Sequence, residues 1–127
     1  RAIVPATFWR EMTKPTRSWH HFAAEGDALL GMAAVTRPGW SADGAEFTCY
    51  SIVMQPAPPH LQHVHERMPV LVAADFAEQW LQPGEATPAL VHAAIDAAAA
   101  VAATIQVSAE PGGDSGPGAD AGADRLF

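Results

Sequence analysis

Two imidazoles, a carboxylate and a guanidinium fall within five residues at His63-Val64-His65-Glu66-Arg67, and the apolar run Met68-Pro69-Val70-Leu71-Val72 follows at once. Titratable groups at the mouth of a strand, carried by a loop on a packed scaffold, are a common way to build a site. The competing reading is a solvated loop with unrelated histidines. His65 is an imidazole, a side chain that can donate or accept a proton. Glu11 sits among Phe8, Trp9 and Met12. Apolar neighbours raise a carboxylate's pKa and make it a usable acid. The two residues lie 54 positions apart, so spacing alone does not bring them together. Arg67 either directs its guanidinium at a phosphate or pairs with Glu66 or another acid. His60, His63 and His65 form an H-x-x-H-x-H pattern. Zinc needs three or four converging ligands, and no cysteine or carboxylate completes a known spacing, so neither a metal nor another cofactor is expected. Trp9, Trp19 and Trp40 are either core or stacking surfaces for unpaired bases. Cys49 lies mid-strand and reads as core. His20, His21 and His92 read as structural or exposed.

The elements that must hold these groups follow from the hydrophobic pattern. Residues 2–6 read as a short strand. Residues 7–14 read as a loop or helical turn, broken by Pro15. Residues 19–24 alternate as a strand, with Trp19, His21 and Ala23 on one side and His20, Phe22 and Ala24 on the other. Glu25-Gly26-Asp27 reads as a hairpin-type turn. Residues 29–36 form an apolar, central strand. Pro38-Gly39 and Asp43-Gly44 mark a loop around Trp40. Residues 46–54 and 68–73 are further strands. Asp75 is a candidate N-cap for a helix over 76–81. Thr87-Pro88 is a cap followed by proline at the first helical position. That helix runs to about Ala103, with Leu90, Val91, Ala94, Ile95, Ala98 and Val101 as its apolar stripe. Residues 105–109 make a last strand. From Pro111 to Asp124 the chain is Gly, Pro, Ala, Asp and Ser, too poor in apolar groups to offset ordering entropy, and a flexible tail is expected over 110–127.

The chain has 127 residues, 49% hydrophobic, enough for one core and no more. Net charge is −7, unevenly spread. Residues 1–37 hold five basic groups against three acids, and residues 38–127 hold two against eleven. Such acidity counts against strong, non-specific DNA binding; any basic face must come from the first third and from Arg67. A single cysteine rules out an intrachain disulfide, which fits a cytoplasmic protein. No run reaches the roughly 18 apolar residues of a membrane span. Arg1 opens the chain as though inside a strand, as expected of a piece of a longer protein.

His65-Glu66-Arg67-Met68-Pro69-Val70 resembles the "IHDRMPV" signature of the SOS response-associated peptidase (SRAP) family. Arg1-Ala2-Ile3-Val4-Pro5-Ala6 is similar to that family's "RCLIPA" strand. Glu11 falls at the glutamate of its "GFYEW" segment, and Asp75-Phe76 with Trp80-Leu81 matches the helix after the histidine motif. The resemblance covers residues 1–82 and extends toward Ser108. It implies an α+β fold, a mostly antiparallel curved sheet or open barrel with one or two packed helices, with residues 1–109 the C-terminal part of the domain and the N-terminal part missing. It implies a protein that recognises abasic sites in single-stranded DNA and crosslinks to them, with autopeptidase activity, and needs neither a membrane nor an obligate protein partner. Glu11 and His65 would be its acid/base residues and Arg67 a DNA contact. The family's nucleophile, an N-terminal cysteine, is absent from this chain. So are the Asn and Arg of its "NARxET" segment. Met54 stands where the family often has threonine. A non-enzymatic binding module of the same fold is the alternative.

Overall fold

The computed structural model describes residues 1–111. Its strands are β1 (Ala2–Ala6), β2 (Trp9–Thr13), β3 (Ser18–Ala24), β4 (Leu30–Trp40), β5 (Glu46–Ile52), β6 (Met54–Pro56), β7 (Arg67–Pro69) and β8 (Ile105–Ala109). Its helices are α1 (Ala77–Leu81) and α2 (Pro88–Ala103). The fold is α+β, with every strand pair antiparallel and no closed barrel. The strands divide into a β1-β4-β5 sheet, a β2-β3-β8 sheet and a β6-β7 ribbon. No described helix is long and apolar enough to cross a membrane.

β4 is central because both of its faces are apolar: Leu30, Met32, Ala33 and Ala34 are all buried. Gly31 is needed there, because a Cβ on it would lie 2.8 Å from Ile3 Cγ2. One face of the sheet meets Phe22, Leu61, Met68 and Ile105; the other meets Trp80, Ala94 and Ala98. α2 starts where expected, with Thr87 Oγ1 accepting from the Leu90 N–H at 3.2 Å. Its buried positions are Ala94, Ala98 and Ala102, small enough to let the helix lie close to the sheet. Ala102 belongs to that stripe and was not among the expected residues.

Several elements depart from the sequence reading. Residues 9–13 form a strand, not a loop or helical turn. The Glu25–Asp27 turn is a 3-10 turn that joins two different sheets, since β3 pairs with β2 and β8 while β4 pairs with β1 and β5. β4 runs through Pro38 and Gly39 to Trp40. Proline is tolerated because β1 covers only residues 30–34, so β4 is paired on one side alone at Pro38. The expected strand 46–54 breaks at Val53, and 68–73 keeps a ladder only over Arg67–Pro69. Asp75 makes no capping hydrogen bond; it lies inside a 3-10 turn ahead of α1. The tail expected over 110–127 lies, apart from its first two residues, outside the described residues.

Trp80 ties the pieces together. It is 0% exposed, packs among Ala33, Val70, Ala94 and Ala98, and donates its indole N–H to the Ala2 carbonyl at 2.8 Å. Arg1 closes the same joint. Its guanidinium donates to the carbonyls of Trp80, Gln82, Gly84 and Glu85, satisfying acceptors that the end of α1 leaves open. Replacing Trp80 by alanine should cost about 3–5 kcal/mol. Trp80→Phe should cost less, because it keeps most of the volume and loses mainly the indole hydrogen bond, about 1 kcal/mol. Urea unfolding of both variants checks the order.

Candidate active site

Glu11 reaches the site because β2 is a strand. Trp9, Glu11 and Thr13 face inward, opposite Phe22, His20 and Ser18 of β3. Trp9 stacks on Phe22 with ring centroids 5.0 Å apart, which fixes β2 against the core. His65 reaches the site by a different route. Residues 57–66 fold as a chain of turns whose buried anchors are Leu61 and Val64. The turns are stapled by Val64 N–H to Leu61 O at 3.1 Å and Ala57 N–H to Glu66 O at 2.8 Å. Gln62 Nε2 donates to the Ala57 carbonyl at 2.9 Å. The β6-β7 ladder then continues the pairing, with Pro56 opposite Arg67 and Gln55 opposite Met68.

The outcome is a close approach: His65 Nε2 lies 3.9 Å from Glu11 Oε2. The imidazole is held from its other side. Nδ1 lies 2.9 Å from the Arg67 carbonyl and 3.2 Å from the Arg67 N–H. When Nδ1 carries the proton and donates to that carbonyl, Nε2 is a lone pair facing the Glu11 carboxyl. Glu11's side chain is 23% exposed, and its pKa is raised. Burial is the larger cause, and the positive charge available on His65 opposes it. A carboxyl that keeps its proton longer than usual, beside an imidazole pinned by the backbone, is an arrangement chemically able to pass a proton, and it is open to solvent on one side.

Arg67 is exposed, and its Nη2 donates to the Met54 carbonyl at 3.1 Å. Among the described residues no carboxylate pairs with it, so the ion pair with Glu66 weighed above does not form. Met54, at the family's threonine position, lies opposite Pro69 in the β6-β7 ladder. His60 points elsewhere, its Nε2 3.0 Å from the Ile105 carbonyl. Among the described residues no three His, Cys, Asp or Glu side chains group as metal ligands. Cys49 is only half-buried, on β5 opposite Arg37. Its Sγ fills the space over Gly39, 2.6 Å from where a Cβ would be. Trp19 and Trp40 are both exposed, while the Trp9 indole N–H is buried with no partner.

His20, which reads from the sequence as structural or exposed, is the direct cross-strand neighbour of Glu11. Its Nδ1 lies 3.1 Å from both Thr13 Oγ1 and the Ser18 carbonyl. The alternation of β3 put His20 on the Phe22 side. Only the pairing with β2 set it beside Glu11, and residues 7–14 carry no clean strand pattern to announce that pairing.

Known proteins agree with this architecture. The chain is 27% identical over 92 residues to the abasic site processing protein YoaM of Bacillus subtilis (strain 168), covering 69% of this chain and 40% of that one. A crystal structure of a Bacteroides thetaiotaomicron protein superposes with a TM-score of 0.69 at 17% identity, over 87% of this chain and 49% of its own. One from Bordetella bronchiseptica gives 0.63 at 18% identity, over 86% and 54%. The chain thus spans about half the length of these relatives. The family model described as SOS response associated peptidase (SRAP) matches residues 1–111. With the antiparallel scaffold and the ordered motifs on it, the chain belongs to the SRAP family.

Proposed function

We propose that this protein processes abasic sites in single-stranded DNA by forming a covalent crosslink to the open-chain sugar aldehyde. The observation that carries the proposal is the meeting of Glu11 and His65 at 3.9 Å across two separate elements. The name of the YoaM relative supports the substrate class. In the reaction, an amine attacks the aldehyde carbon, and the carbinolamine loses its oxygen as water to leave an imine. A thiol then adds to the imine carbon and closes a thiazolidine ring. Amine and thiol belong to the N-terminal cysteine that the family resemblance implies; it lies outside this chain. The raised pKa of Glu11 suits it to protonate the departing hydroxyl. His65 Nε2 suits removal of the amine's or thiol's proton and its return. Arg67, at the rim, holds a phosphate beside the lesion. The same nucleophile would serve autopeptidase removal of an initiator methionine.

A second reading is a DNA-binding module of this fold that does not react.

Incubation of the full-length protein with abasic single-stranded DNA, followed by a denaturing gel, separates the two. A heat-stable shifted band supports crosslinking, and Glu11→Ala and His65→Ala should each slow its formation by about 10²-fold or more. A folded protein with its terminal cysteine confirmed and no band leaves the binding module. Arg67→Ala should weaken DNA binding irrespective of sequence and lower the slope of log K against log salt by about 1.

Glu11 also makes a prediction about stability. Its folded pKa is raised, so folding favours the protonated form. That contribution is fully present below the unfolded pKa and is lost as pH rises through the folded pKa. Glu11→Gln should therefore melt with the wild type in acid and above it once pH passes the carboxylate range. Thermal melts across pH test this; a difference that does not vary with pH would show that the Glu11 pKa is not raised on folding.

A further inference from the structure

The outer face of the β2-β3-β8 sheet carries a row of aromatic and cationic groups that the reaction does not use. Phe8 is 46% exposed and Trp19 38% exposed. Phe8 stacks on His21 with centroids 4.5 Å apart and planes at 21°. The Arg10 guanidinium lies 4.7 Å over the Trp19 ring and is held there by Glu110 at 2.6 Å. Gln106 and Ser108 of β8 continue the face, opposite Ala23 and His21. The β2-β3 connection adds exposed Lys14 and Arg17. With Glu11 turned inward, the outer face thus holds Arg10, Lys14 and Arg17 against Glu110, +2 in a chain of −7, which leaves −9 on the remainder.

Flat, pre-stacked rings beside cations are the chemistry that binds unpaired bases, because every base has a π-face and every linkage a phosphate. A second aromatic surface, formed by Trp40, Phe47 and Tyr50 on β4 and β5, lacks the charge complement. Its basic residue Arg37 is outweighed by Asp43 and Glu46. The outer face is also adjacent to the site. β2 is an edge strand of its sheet, and alternation along it turns Glu11 in and Arg10, the next residue, out. A single strand leaving Glu11 crosses one strand edge to reach the row.

We infer that the Phe8–Arg10–Trp19–His21 face, with Lys14 and Arg17, binds the single-stranded DNA that flanks the lesion. The inference rests on the reading of the substrate given above and adds a second contact surface to it. The rings take bases by stacking, and the two cations of the turn take phosphates.

The test uses full-length protein and three labelled single-stranded probes. One is an abasic oligonucleotide of about 20 nucleotides, one is an abasic oligonucleotide with about four flanking nucleotides, and one is a long oligonucleotide without a lesion. The variants are Phe8→Ala/Trp19→Ala and Lys14→Glu/Arg17→Glu, all at exposed positions, with melting temperature checked. Affinity for both long probes should fall about tenfold or more in each variant. The short probe should bind and react as with wild type. The charge reversal should also flatten the salt dependence. Equal affinity of wild type and variants for the long probes overturns the inference, as does an equal loss on the short one. A loss confined to the long probes, with no crosslink by any protein, sustains the surface and sinks the crosslinking reading instead.

Discussion

Three backbone segments close a ring of hydrogen bonds at the centre of this molecule. Ala33 N–H donates to Val70 O at 2.9 Å, Val70 N–H donates to Val53 O at 2.8 Å, and Val53 N–H donates to Ala33 O at 2.8 Å. Ala33 and Val70 are 0% exposed, so their groups have no water as an alternative, while Val53 is half-buried. Opening one bond would strand a buried donor, at about 1–3 kcal/mol. The ring explains why the β5 ladder stops at Ile52 and a new one starts at Met54: Val53 spends its donor and acceptor on two other segments. It also sets where the chain must be when it arrives at Val70. Everything just upstream, including His65 and Arg67, is placed by that arrival.

The site is the junction of that central ring with a second, separately anchored sheet. β2 hangs on β3 and, through Trp9 and Phe22, on the main apolar cluster. The loop before β7 hangs on Leu61 and Val64 in the same cluster. Glu11 and His65 therefore face each other across two rigid supports, with little for either side chain to rearrange. Their separation is that of an ion pair without a direct hydrogen bond, which lets one polar atom of a reacting group, seated beside the pair, hydrogen-bond to both carboxyl and imidazole. The electrostatics match such a task, since partial burial holds the carboxyl's proton and the nearby imidazole limits how far that goes.

Acidity is compatible with the proposed DNA recognition because charge is distributed by element. The β2-β3 hairpin and the rim residue Arg67 are basic, while the acids lie mostly beyond β4. Phosphates would thus be drawn to one side of the molecule and repelled from the rest. Such a surface favours a guided strand over non-specific coating.

The amino-acid sequence determined the elements whose signals are local. Thr87-Pro88 starts α2 because the cap and the fixed proline φ act within one turn. β1, β3 and β8 follow from short apolar or alternating runs, and the motif around His65 identifies the family. Tertiary structure decided what depended on a partner strand. Residues 9–13 have apolar groups on both faces, because the inner ones pack on Phe22 and the outer ones border the aromatic row, so no period of two is visible. The break at Val53 and the persistence of β4 through Pro38 are choices made by neighbouring backbones. The approach of Glu11 to His65, and the place of His20 beside Glu11, come from register between segments far apart in the chain, a quantity that no local pattern of residues encodes.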